Sequence, residues 1–172
     1  MRTPIREALQ RLKLEGYVEV HPRRGVQVRP VDILQQLKLL EVRRSLEELM
    51  ARLAAQRATP EERANLRRLA QEIVKAAQAQ SSSYFEVNRD IHRNLAAATH
   101  NETLMKTIGV IHGLSRRFWY AYISDDRKLE ASAQHSVMLN AVADGDAETA
   151  ALAASRLMDF LEGLTRSTLE RL

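Results

Sequence analysis

The chain has 172 residues, 45% hydrophobic and 28% charged, which lies within the range of ordinary soluble domains and leaves room for a packed core. It contains no Cys, which excludes disulfides, thiolate metal sites and cysteine nucleophiles. No apolar run approaches the roughly 18 residues that a membrane span needs, so a cytoplasmic chain without a membrane partner is expected.

The net charge of +4 is unevenly spread. Residues 1–30 carry seven Arg and Lys against three Glu, which leaves 19 groups of each sign in the rest. Such asymmetry points to an anionic partner for the first segment, nucleic acid or a membrane surface, with a solvated basic helix as the alternative.

In chain order, Thr3 to Glu15 reads as a helix. Thr3 stands at a capping position, Pro4 suits the first turn, and Ile5, Leu9 and Leu12 share one face. Gly16 is the expected stop. Two β-prone runs follow, Tyr17 to Val20 and Val26 to Arg29, joined by the basic turn His21-Pro22-Arg23-Arg24-Gly25. From Val31 onward the pattern is helical throughout. The first long helix runs to about Arg57, with Leu39, Val42, Leu46, Leu49 and Leu53 predicted as its inward stripe. The next opens on a capping box at Thr59 and Glu62, and turns Leu66, Leu69 and Ile73 inward. Further helices are expected from about Tyr84 to Thr99, Glu102 to Ile123 and Arg127 to Ala143. Gly145 ends that last one, and Asp146 caps a final helix running nearly to Leu172. The fold class is mainly α: one helix with a β-hairpin, then an antiparallel bundle of about six helices. The domain boundary is expected between residues 1–30 and 31–172.

Arg2-Thr3-Pro4-Ile5-Arg6-Glu7-Ala8-Leu9, Glu15-Gly16-Tyr17-Val18 and Pro22-Arg23-Arg24-Gly25-Val26-Gln27-Val28 together resemble the recognition helix and wing of GntR-family transcription regulators. Glu41-Val42-Arg43-Arg44-Ser45-Leu46-Glu47, Asn88-Arg89-Asp90-Ile91-His92, Gln134-His135 and Gly145-Asp146 resemble the FadR-type ligand-binding (FCD) domain. The resemblance implies that Arg2, Thr3 and Arg6 contact bases and backbone of a double-stranded operator, with Arg23, Arg24 and Gly25 at the wing tip. Surface pairs of Arg6 and Arg11 with Glu7 or Glu15 are the plainer reading. The family's winged helix starts with two further helices. Without them Ile5, Leu9, Leu12 and the wing valines are expected to lack cover, at roughly 1.5–3 kcal/mol for each exposed side chain.

Within the bundle, Asn88 and His92 are four apart on a helix whose apolar positions include Phe85, Ile91 and Leu95. His135 shares a face with Met138, Leu139 and Val142. Taken alone, each imidazole reads as a hydrogen-bonded core group; the resemblance implies a pocket instead. It further implies a divalent metal site of the zinc kind, with Asn88, His92 and His135 at three ligand positions and Leu157 where a fourth, a histidine, belongs. Asp90 lies roughly 160° from His92 on the helical wheel, so it joins them only if the helix rotates. For a small carboxylate effector, Arg43 and then Arg117 are the candidate cations. An i,i+4 surface pair with Glu47 is the alternative for Arg43. His100 and His112 receive no role, and the stripe through Phe118 argues against base stacking at Arg116 to Tyr120.

The function expected is a ligand-responsive DNA-binding regulator acting as a homodimer. The alternative is a truncated ligand-sensing or dimerising module with little DNA binding. No nucleophile motif, phosphate loop or full metal set supports catalysis, so no catalytic residue is assigned.

Overall fold

The structure, a computed structural model, describes residues 3–171, with Thr3 described in its backbone alone. Arg2 lies outside the described residues. Helix α1 (Thr3–Leu14) leads through Gly16, at φ 83°, into an antiparallel hairpin of β1 (Val18–His21) and β2 (Gly25–Val28). Val18 pairs with Val28 and His21 with Gly25. Arg23 and Gly25 both take positive φ at the tip, which glycine accepts without strain and Arg23 does not.

Six helices complete the described chain: α2 (Ile33–Arg57), α3 (Pro60–Gln78), α4 (Tyr84–Ala97), α5 (Glu102–Tyr122), α6 (Asp125–Asp144) and α7 (Ala147–Leu169). Helix α2 packs along α7, α3 along α6, and α6 along α7, while α4 and α5 close one side against α2 and α3. The predicted punctuation is present. Thr59 and Glu62 form the capping box, Gly145 ends α6 in the left-handed conformation, and the Asp146 carboxylate accepts from the Thr149 amide. The Arg63 guanidinium donates to the carbonyls of Ala55, Val142 and Ala143, so one side chain ties the ends of α2 and α6 together.

Leu66, Leu69 and Ile73 are buried as predicted, as are Met138, Leu139 and Val142. The stripe on α2 is different. Its buried face runs through Ile33, Gln36, Leu40, Arg43, Glu47, Met50 and Ala54, whereas Val42 is 55% and Leu49 42% exposed. Leu46 and Leu53 only pack against the core's edge. A search for apolar residues misses this face because three of its members are polar: Arg43 pairs with Glu47, and Gln36 and Arg43 both donate to Ser115 on α5. On α5, Leu104, Ile108 and Phe118 are buried, but Tyr122 is exposed.

The wing is thinly covered. Among the described residues Val18 is buried, but Ile5, Leu12, Val20, Val26 and Val28 are exposed and Leu14 is 88% exposed. An apolar face of this kind is surface that gains from being covered.

Candidate functional site

A polar cluster lies inside the bundle where α2, α4, α5 and α6 meet. Its centre is the Arg43–Glu47 pair, one helical turn apart on the buried face of α2, with side chains 3% and 0% exposed. Arg43 Nε donates to Glu47 Oε1 at 2.8 Å, and Nη1 donates to Ser115 Oγ at 3.1 Å. From α5, His112 Nε2 donates to the same Glu47 oxygen at 2.7 Å. From α4, His92 presents Nε2 to Arg43 Nη2 at 3.4 Å. A guanidinium only donates, so His92 Nε2 accepts and the ring's proton sits on Nδ1. That Nδ1 and the second oxygen of Glu47 are buried without a partner.

Electrostatics agree with this arrangement. Burial pushes the Glu47 carboxyl up, but Arg43 and His112 outweigh it and hold the group well below the carboxylate range. Burial, with neighbouring positive charge, lowers His92 far below the ordinary imidazole value. Burial also lowers His112, against the pull of Glu47. His135 falls to about 4, again through burial. The cluster therefore holds one carboxylate, one guanidinium and neutral imidazoles at neutral pH.

Beside it is a cavity of about 30 Å³ walled by Arg43, Asn88, His92, His112, Arg116 and His135, with Tyr84, Phe85 and Trp119 on its apolar side. That space suits water more than an organic molecule. His135 Nδ1 donates to the Ala131 carbonyl at 2.8 Å, leaving Nε2 to face the Asn88 amide at 3.4 Å. Of the predicted ligand residues, Arg43, Asn88, His92 and His135 thus meet at one cavity. Arg117 does not: it reaches the Arg29 carbonyl, and its neighbour Arg116 is the α5 arginine that faces inward. Asp90 does not line the cavity; its Oδ1 lies 3.3 Å from Arg93 and 3.8 Å from Arg89. His100 is exposed and pairs with Glu62.

Glu47 and His112 were missed by the sequence reading. The signal for Glu47 was present as its i,i+4 spacing from Arg43, but helix rotation alone tells buried from exposed. His112 sits one turn from Ile108 and Ser115, on a face whose burial depends on α2.

A metal at the expected position does not fit these residues. Asn88 offers a neutral amide, Leu157 is fully buried and offers no donor, and His92 is turned to a guanidinium. A second convergence, Glu47 with His92 and His112, brings ligand atoms within 4.8 Å of one another. There too the positive charge of Arg43 is already in place 2.8 Å from the carboxylate, and a divalent ion beside it would be repelled.

At the other end of the chain, Arg6 on α1 and Arg23, Arg24 and Gly25 at the wing tip are all exposed. Arg11 pairs with Glu15 at 2.8 Å and Arg29 with Glu19 at 2.9 Å, so part of the basic surface is internally neutralised.

A basic helix and hairpin joined to a helical bundle with a buried polar cavity define a regulator of the sensor-plus-DNA-binding type. Comparisons with known proteins agree. Residues 38–160 match the FCD domain, and residues 1–28 match the bacterial regulatory proteins of the gntR family. The Nta operon transcriptional regulator of Aminobacter aminovorans is 31% identical over 144 residues, which span 83% of this chain and 67% of that protein. Among solved structures, E. coli McbR/YncC superposes with a TM-score of 0.82 at 23% identity, over 97% of this chain and 81% of that one. Streptococcus agalactiae GntR superposes at 0.67 and 20% identity, over 95% and 82%. The chain belongs to the GntR family of transcription regulators, with an FCD domain as its helical part. Among the described residues no helix is long and apolar enough to cross a membrane.

Proposed function

We propose that this chain is a ligand-responsive DNA-binding regulator whose effector is a small carboxylate, taken up between α4, α5 and α6. The observation that supports this most is the buried cavity walled by Arg43, Asn88, His92 and His135 inside an FCD bundle. Its size requires Phe85 and Trp119, both half-buried, to move aside for any organic effector. Uptake proceeds without a metal, since guanidinium charge already occupies the polar centre.

DNA contact falls to Arg6 with Arg23, Arg24 and Gly25, together with Arg2 and Thr3, whose side chains the structure does not describe. In a winged helix the exposed start of the helix enters the major groove and the wing approaches the flanking backbone. A homodimer would place two such helices on a near-palindromic operator. Val42 and Leu49, seven residues apart on the outer face of α2, are apolar surface that a second copy could cover. The domain boundary belongs at 30/31, just before the Asp32 cap of α2.

Selection from a random duplex library tests the DNA half. The wild-type chain is expected to enrich one sequence, and Arg6→Ala to bind with no site preference; equal preference would remove Arg6 from the account. The uncovered apolar face of α1 and the wing favours a second reading, a sensing module with weak DNA binding of its own. Enrichment of no sequence by the wild type, with ligand binding intact, would select that second reading.

A further inference from the structure

Arg116 sits where three spaces meet. It lines the inner cavity beside Arg43, and an outer groove of about 150 Å³ between α4 and α5 that also holds Arg89 and Arg93. It also lines an open hollow of about 540 Å³ beneath Tyr17. Its guanidinium is half-buried, and its Nε is buried with no acceptor. Among the described residues it forms no ion pair; the groups that bear on it most are the cation Arg89, then the Tyr17 phenol, then the cation Arg43. Burial, then Arg89 and Arg43, lower its pKa from the ordinary arginine value against the opposing pull of Tyr17. Arg43, by contrast, has its carboxylate in Glu47. A half-buried guanidinium surrounded by like charge and lacking an anion is short of one partner.

The same residue borders the joint between wing and bundle. The Tyr17 phenol lies directly over Gly113, one residue position that leaves it room: a Cβ there would collide with the hydroxyl. Arg117 donates to the Arg29 carbonyl, and the Leu114 side chain lies 4.0 Å from where a Cβ on Gly16 would stand. The base of the wing therefore rests on α5 at positions 113, 114 and 117, with Arg116 pointing past it into the cavity.

We propose that Arg116 is the cation with which an effector carboxylate pairs, and that drawing its guanidinium into the cavity unseats Tyr17 from Gly113 and frees the wing. The inference rests on the carboxylate reading above. Arg43 then serves a different end, holding Glu47 and the imidazoles in place. Effector entry lies through the outer groove, where Arg89 and Arg93 share the one carboxylate of Asp90 and leave net positive charge to attract an anion. There His92 with His112 form the wall shared with the cavity.

The chain has one Trp, Trp119, which lines the cavity, so its emission reports binding. Acetate, succinate, citrate and inorganic phosphate are titrated into wild type, Arg116→Gln, Arg116→Lys, Arg117→Gln and Gly113→Ala, with amide exchange over residues 17–29 measured alongside. At least one carboxylate is expected to bind wild type and to speed exchange in the wing. Arg116→Gln should weaken that binding tenfold or more and abolish the wing response, while Arg116→Lys retains most of the affinity. Arg117→Gln should bind as wild type does. Gly113→Ala should exchange fast in the wing without any ligand and bind the carboxylate more tightly than wild type, because the wing is already unseated. Equal affinity for wild type and Arg116→Gln overturns the site; a saturated wild type with unchanged wing exchange overturns the coupling. A response to phosphate alone overturns the carboxylate class, and a wild type indifferent to all four anions overturns this inference together with the reading beneath it.

Discussion

Replacing Arg43 by Met discriminates sharply between two accounts of one pair. Were Arg43 and Glu47 an exposed i,i+4 pair, its loss would cost about 0.2–0.5 kcal/mol. In the structure both side chains are at most 3% exposed, and the carboxylate keeps only His112 as a donor once the guanidinium is gone. Removing one partner of a buried pair strands a charge, a loss of about 3–5 kcal/mol. That is a large share of the roughly 5–15 kcal/mol that stabilises a typical domain. Arg43→Met is therefore expected to lose about that amount in urea denaturation followed by far-ultraviolet circular dichroism. Adding Glu47→Gln to Arg43→Met should restore more than half of it, because the neutral amide no longer needs a counter-charge. A loss below about 1 kcal/mol, or additive single and double variants, would refute the buried-pair argument.

Acid should destabilise the protein in a defined window. His135 is neutral in the fold down to about 4, against an ordinary value of 6.5. Below pH 6.5 the unfolded chain binds a proton that the folded one refuses, so stability falls with pH. At pH 5 the loss from His135 alone is about 2 kcal/mol relative to pH 7, and His92 and His112 add to it. Glu47, whose carboxyl is held low, contributes a separate loss only below its ordinary 4.5. Flat stability between pH 7 and pH 5 would contradict the burial of these rings. Chelation should do nothing. Overnight dialysis against EDTA is expected to leave the melting temperature unchanged within a degree, and a fall of several degrees restored by zinc would return a metal to the site.

Much of the local structure was legible in the chain. Thr59 with Glu62, Gly145 with Asp146, and the Gly25 turn each mark an element boundary by chemistry that acts over a few residues, and the structure has all three. His92, Asn88 and His135 were legible as inward groups because each shares a helical face with Ile91, Leu95 or Met138 that must be buried. The α2 face was not legible. Its apolar stripe and its buried stripe differ, since burying Gln36, Arg43 and Glu47 depends on Ser115 and His112, distant in sequence, supplying their partners.

What the sequence by itself determined is therefore the kind of protein, a winged-helix segment ahead of a sensing bundle, together with most element boundaries and four of the cavity's polar residues. Those features depend on short-range periodicity, capping and spacing, which survive in any order of packing. Only the tertiary structure decided which of Arg116 and Arg117 faces the cavity, which histidine completes the cluster and why a metal is out of place there. Arg116 and Arg117 are adjacent on one helix, and a step of about 100° sends one to the cavity and the other to the wing. The direction of each is set by the helices packed around α5, and by no feature of the residues themselves.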